Sequence, residues 1–343
     1  MFLNFYGLRE QPFGVTPDPR FLYLSPAHRE ALASMFYGID AGRGFLALIA
    51  KPGMGKTTLL FQLLQHLRPR ARTAFVFQTQ CTSREFMRFL LLELGLDVND
   101  EQDLVSMHEQ FNRCLLQEAQ AGRQVIIVVD EAQNLDASVL ETLRLLSDFE
   151  TPEAKLLQIV LSGQPELADK LARPSLRQLR QRVSLLSTLT PLPPQEVVSY
   201  LSHRLHAAGR AEAPLFTAPA VKMISELSEG IPRNINNICF NALSLGCSLR
   251  EKTIDVEVLK QVAADFDLAG LRSEPGVSML DRDNFSRETI SLASAASEAR
   301  SRLAKSGPSL IKNGRGELSK PEDALAYIQD FIQRFKKDQD FAN

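Results

Sequence analysis

The chain has 343 residues, of which 44% are hydrophobic and 23% charged, and its formal net charge is −2. This is the composition of a globular protein with room for two modest domains and a tail, and it excludes any chain-wide electrostatic pull toward nucleic acid or a membrane surface. The four cysteines (Cys81, Cys114, Cys239 and Cys247) form no C-x-x-C pair, so they read as free thiols rather than as a metal site or a disulfide frame.

The start, "MFLNFYGLREQPFG", lacks a basic stretch followed by an apolar core, so it does not read as a signal peptide. No run reaches the 18 or so apolar residues of a membrane span. The expected location is the cytoplasm, with membrane association only through a partner.

Phe45–Ala50 is a short apolar run of the kind that forms a buried strand. Thr57–Leu67 then places Leu60, Leu63, Leu64 and Leu67 at helical spacing. Between them lies "KPGMGKTT". The phosphate-loop pattern is G-x-x-x-x-G-K-[ST], and here Ala50 stands where its first glycine would be. Ala50 sits at the strand exit, where ordinary backbone angles serve, so the methyl is tolerable. Gly53 and Gly55 fall where the backbone must turn its N–H groups onto an anion, with φ > 0, which a Cβ resists by ~1–2 kcal/mol. Pro52, Gly53, Met54, Gly55, Lys56, Thr57 and Thr58 are therefore the expected nucleotide cradle. Lys56 reaches the β- and γ-phosphates of ATP, and Thr57 offers its hydroxyl to Mg²⁺.

Further strands are expected at Thr73–Thr79, Gln124–Asp130, Leu156–Ser162 and Val183–Leu189. Five strands alternating with helical patterns predict a parallel α/β sheet of the P-loop NTPase kind up to about Pro191. "VIIVVDEAQNL" ends a strand on two adjacent carboxylates. Asp130 is expected in the Mg²⁺ shell, and Glu131 is expected to polarise the attacking water as general base. The strand after it ends on Ser162, Gly163 and Gln164. A polar side chain at that tip can bridge the water and the γ-phosphate, and Gln164 is the better placed. "SLRQLRQRV" sets arginines at and after a helix end. Arg182, with Arg177 in reserve, is the candidate finger for a neighbouring subunit's γ-phosphate.

"PLPP" (Pro191–Pro194) closes this part. Residues 192–268 show only helical periodicity, over Val197–Ala207, Ala218–Leu227, Pro232–Cys247 and Val256–Phe266, and predict a helical lid domain. Arg233 lies at the N-terminus of the third of these helices, where the helix dipole disfavours a cation. A role as a sensor closing over the nucleotide gives it a reason to be there. Residues 269–320 are rich in Ser, Gly, Pro and charge and predict a flexible linker. The chain's last predicted element is an amphipathic helix, Pro321–Lys337, with Leu325, Ile328, Ile332 and Phe335 on one stripe. It either packs on its own protein or binds a partner.

Taken together, "NFYGLREQPFGVTPDPRFLYLSPAHREAL", "AKPGMGKTT", "DEAQNL", "VLSGQPEL", "LRQLRQRV" and "GIPRNINNIC" resemble the ExeA/GspA-type AAA+ ATPases over about residues 1–268. The resemblance implies a homo-oligomeric ATPase serving type II secretion, other export or exopolysaccharide envelope systems. It also implies that Phe21, Leu24 and His28 line the adenine pocket. Family members often continue into a membrane span and a peptidoglycan-binding domain, and this sequence shows neither, so a direct cell-wall role is not expected. The alternative is a DNA-associated ATPase like the related TniB/TnsC transposition regulators, against which the near-neutral charge and the lack of a visible basic stripe count.

Overall fold

A computed structural model describes residues 2–77, 79–99, 101–150, 155–210 and 214–268. The linker and the helix expected over Pro321–Lys337 lie outside the described residues. In chain order the elements are α1 (Phe2–Tyr6), α2 (Pro26–Asp40), β1 (Phe45–Ile49), α3 (Lys56–Leu67), β2 (Ala71–Val76), α4 (Ser83–Glu93), α5 (Leu104–Gln120), β3 (Gln124–Val129), α6 (Ala137–Leu146), β4 (Leu157–Gly163), α7 (Pro165–Ala172), α8 (Arg177–Arg182), β5 (Val183–Thr188), α9 (Pro194–Ala207), α10 (Ala218–Ser228), α11 (Pro232–Ser248) and α12 (Val256–Leu268). Two units result. Among the described residues, one takes Pro26–Pro52 and Leu59–Thr190, and the other takes the chain up to Ser25, Gly53–Thr58 and everything from Pro191 on.

The first unit is built on a five-stranded sheet in the order β2-β3-β4-β1-β5, every pair parallel. The order follows from the residues. "FLALI", "VIIVV" and "LQIVLSG" are buried along their length, as strands covered on both faces must be. The two edge strands carry the partly exposed sequences, and Leu186 of β5 is 54% exposed. The core gathers Phe86, Leu90, Met107 and Phe111 from α4 and α5 with Ala74, Val76, Val125 and Ile127 from the strands beside them. Helix α4 starts at a capping box, in which Thr82 Oγ1 accepts from the Glu85 N–H and the Glu85 carboxylate accepts from the Thr82 N–H at 2.8 Å.

Strand β2 begins and ends earlier than the expected Thr73–Thr79. Its register with β3, Ala71↔Gln124 through Val76↔Val129, sets those limits. Arg72 can sit in the strand because its guanidinium donates to the Leu94 carbonyl and to Glu118.

The second unit begins its long segment at Pro191, close to the expected change at residue 191, but it also takes in the start of the chain, which the sequence had placed with the sheet. The first 25 residues do not belong with the sheet. Tyr6, Leu8, Phe13 and Phe21 are buried in one core with Val197, Tyr200 and Leu201 of α9, Ile235 and Cys239 of α11 and Leu259 of α12. Buried Arg204 of α9 fastens the segment, donating to the carbonyls of Pro12 (2.5 Å) and Phe21 (3.4 Å) through Nε and Nη1. A helical-domain sequence read alone gives no sign that its missing core face comes from the other end of the chain. Among the described residues, no helix is long and apolar enough to cross a membrane.

Candidate functional site

Strands β1, β3 and β4 are parallel and lie side by side in the order β3-β4-β1, so they end on one edge of the sheet. Beyond β1, Ala50 donates its N–H to the Gly163 carbonyl at 3.1 Å, extending the ladder by one residue. Ala50 is not among the residues with positive φ, whereas Gly53 and Gly55 stand at φ 78° and 85°. The departure from the phosphate-loop pattern thus falls at the one position that needs no glycine. Gly53 has a second reason to lack a side chain. A Cβ there would lie 2.6 Å from Arg233 Cβ and 3.2 Å from Ile231 Cγ2, and its carbonyl accepts the Arg233 N–H at 3.1 Å.

Helix α3 opens at Lys56, so the loop hands over to a helix N-terminus with Lys56, Thr57 and Thr58 in the first turn. The backbone N–H groups and the positive end of the dipole at a helix N-terminus make such a turn attractive to phosphate. Met54 and Lys56 are buried, while Pro52 is exposed. Among the described residues no three His, Cys, Asp or Glu side chains gather as a metal site. Mg²⁺ does not require one: it is held by one or two hard protein oxygens together with phosphates and water, and the Thr57 hydroxyl and Asp130 carboxylate are of that kind.

Beyond β3 and β4 the polar groups are tightly organised. Asp130 is 3% exposed. Its Oδ1 accepts the Ser162 hydroxyl at 2.8 Å and the Glu131 N–H at 3.0 Å. Its own N–H donates to the Val76 carbonyl at 2.9 Å. Glu131 is a non-glycine residue at φ 52°, in the left-handed region, which costs on the order of 1–3 kcal/mol. Glu131 Oε2 accepts two amides, from Gln133 Nε2 at 2.6 Å and from Gln164 Nε2 at 3.1 Å. Gln133 Oε1 accepts the Gln164 N–H at 3.1 Å. Lys170 donates to the carbonyls of Gln133 and, at 2.8 Å, Leu135, pinning the turn that carries these groups. Burial holds the Lys170 ammonium below the usual lysine range.

Of the residues expected from sequence, Asp130, Glu131 and Gln164 meet in this cluster. Ser162, passed over in favour of Gln164, bonds directly to Asp130. Gln133 and Lys170 were missed, because nothing in "DEAQNL" distinguishes a bridging glutamine from a turn residue. Arg182 is engaged within its own chain. Its Nη1 donates to the Arg144 carbonyl at 3.0 Å and Ser147 Oγ at 2.6 Å, and it pairs with Asp148. Arg177 and Arg180 are exposed, and neither guanidinium has a hydrogen bond or ion pair among the described residues. Phe21 is a core residue lying under the Arg204 guanidinium, 5.1 Å from its ring centroid. Leu24 is half-buried, and His28 is buried in the first turn of α2. Arg233 is exposed in the first turn of α11.

Comparison with known proteins agrees with this architecture. Residues 39–171 match the family described as "AAA domain". General secretion pathway protein A of Aeromonas hydrophila is 39% identical over 277 residues, 80% of this chain and 50% of that protein. The chain therefore spans half the length of that relative. Among solved structures, Cdc6p of Pyrobaculum aerophilum superposes with a TM-score of 0.58 at 16% identity, covering 94% of this chain and 91% of that one. The ORC2 protein of Aeropyrum pernix, in ADPNP–ADP complexes, superposes with a TM-score of 0.56 at 12% identity, covering 94% and 98%. At these identities the structural likeness is one of fold, and the fold is that of the AAA+ P-loop proteins.

Proposed function

We propose that this chain, an AAA+ P-loop protein similar to general secretion pathway protein A, binds ATP with Mg²⁺, hydrolyses it, and uses the cycle as an assembly switch for a bacterial export system of the type II secretion or exopolysaccharide kind. The observation that carries the reading is the pair Asp130–Glu131 at the end of β3, each carboxylate held by polar groups at the tip of β4, on the sheet edge where β1 runs into the Lys56 loop. A pair so arranged divides two tasks. Asp130 and the Thr57 hydroxyl would hold Mg²⁺, which when bound draws charge off the β- and γ-phosphates. Lys56 adds a positive charge on the same phosphates. Glu131 accepts a proton from water as the water oxygen bonds to the γ-phosphorus and the bond to the bridging oxygen breaks, releasing ADP.

The partners and setting belong to the same proposal. The protein works in the cytoplasm as a homo-oligomer, and an arginine of one subunit completes the neighbour's site. With Arg182 bound to its own chain, Arg177 takes that role. Arg233 acts as the sensor at the start of α11. Pro321–Lys337 is assigned to binding an envelope-system protein, which brings the ATPase to the membrane.

Phosphate release with Mg²⁺-ATP, mass measurement with and without nucleotide, and fractionation of cells carrying the chain with and without residues beyond 268 test the proposal. Turnover, nucleotide-dependent assembly and loss of the membrane-associated fraction on truncation are the expected results. Absence of turnover overturns the enzyme assignment. ATP-dependent assembly on duplex DNA at physiological salt replaces the export role with a DNA-associated one.

A further inference from the structure

The Glu131 carboxylate needs a hold that its own backbone does not supply. At φ 52° the residue sits in a left-handed step between β3 and the turn over Ala132–Asn134, so its side chain leaves the strand in a direction that the strand does not dictate. Two amides converge on Oε2, the shorter bond being that of Gln133 at 2.6 Å. Oε1 takes no hydrogen bond among the described residues. Gln133 uses its other end as well, accepting the main-chain N–H of Gln164 at 3.1 Å. The room for this comes from Gly163, where a Cβ would stand 2.8 Å from Gln133 Oε1. Its backbone is held too, since Lys170 donates to its carbonyl.

We infer that Gln133 is a positioning residue for hydrolysis, a single side-chain amide that orients the Glu131 carboxylate with its nitrogen and ties it to the tip of β4 with its oxygen. The inference rests on the reading of Glu131 as the base in ATP hydrolysis. A carboxylate anchored through Oε2 presents Oε1 to a water in one fixed direction, and reaction rates fall about 100-fold when a reacting group is misplaced by ~1 Å. Because the same amide grips the N–H at the β4 tip, a shift of that tip moves the carboxylate with it. Gln133 touches neither phosphate nor water in this scheme and acts only through Glu131.

The test uses the full chain and two variants. Gln133→Leu keeps the side-chain bulk and removes both bonds. Its kcat for Mg²⁺-ATP should fall about 10- to 100-fold, while KM, affinity for a fluorescent ATP analogue and melting temperature stay near wild type. Gln133→Glu sets a second carboxyl against Glu131. Two such groups share a proton, so the acid limb of the kcat profile should move upward by about one pH unit or more, with activity partly restored at alkaline pH.

A Gln133→Leu kcat within about threefold of wild type or above it, or an acid limb unmoved in Gln133→Glu, overturns the assignment. So does a loss shared equally by kcat, binding and melting temperature, which is what a purely structural residue gives. If the wild type shows no turnover at all, the ATPase reading has failed and the grip is read separately. Hydrogen exchange at the Gln164 amide should be slow in the wild type and faster in Gln133→Leu. Equal exchange there rejects the grip itself.

Discussion

Arg233 and Gly53 meet backbone to backbone: the Arg233 N–H donates to the Gly53 carbonyl at 3.1 Å, and a methyl on Gly53 would stand 2.6 Å from Arg233 Cβ. The first turn of α11 is thereby joined to the proposed nucleotide loop. Gly53→Ala should strain the left-handed backbone and push on Arg233 together, costing about 1–3 kcal/mol and most of the ATP affinity. Ala50→Gly should change affinity less than about twofold, since Ala50 occupies ordinary backbone and ends a strand ladder. Fluorescent-nucleotide titration of both variants checks this. Equal effects at the two positions would contradict it.

The proposed division of labour between binding and chemistry is separable. Lys56→Ala should abolish ATP binding by removing the point charge on the β- and γ-phosphates. Glu131→Gln should bind ATP normally and lose most hydrolysis, about 100-fold or more. Phosphate release and binding measured side by side decide it, and wild-type turnover in Glu131→Gln removes that residue from the role of base.

Arg182 and Arg177 should behave differently when replaced by alanine. Arg182 bonds to Ser147, the Arg144 carbonyl and Asp148 of its own chain. Arg182→Ala should therefore lower the melting temperature, by the equivalent of about 1–2 kcal/mol, and no partner subunit should rescue it. Arg177→Ala should leave stability unchanged and lose turnover. Mixing it with Lys56→Ala subunits should restore part of the activity, because they lend an intact finger to their neighbours' sites. Rescue of Arg182→Ala instead, in verified mixed oligomers, would return the finger to Arg182.

Buried Glu118 joins Arg72 of β2 to Arg123, at 3.0 and 2.6 Å. The Arg123 hydrogen bond, then that of Arg72, holds the Glu118 carboxyl below its usual range. A carboxylate with a depressed folded pKa contributes stability that is fully present above the unfolded value, ~4.3, and is lost as pH falls through the folded one. Glu118→Gln should cost about 1–2 kcal/mol near neutral pH, and the gap to wild type should close below about pH 4. Thermal melts across pH check the sign. A gap that widens in acid contradicts the assignment.

Much of this protein was legible in its sequence because the signals are local. An apolar run, a glycine-rich turn and a helix with leucines at period 3.6 specify strand, loop and helix through neighbouring residues alone. Strand β1 and helix α3 accordingly came out within a residue of their expected limits. The positive φ of Gly53 and Gly55 is a steric property of residues without a Cβ, and it too could be read in advance. Asp130 and Glu131 announced themselves as charges ending an apolar strand.

Tertiary structure alone decided what depends on contacts distant in sequence. Residues 2–25 joined the helical unit because Tyr6, Phe13 and Phe21 complete a core whose other side lies beyond residue 191, with Arg204 bonded across about 190 positions of chain. Arg182 went to Ser147 rather than outward because α8 runs past the end of α6. Gln133 and Gln164 converged on one carboxylate oxygen because β4 lies beside β3 in the sheet. Strand order is set by which faces can be buried together, a property of the whole chain that no single stretch of it carries.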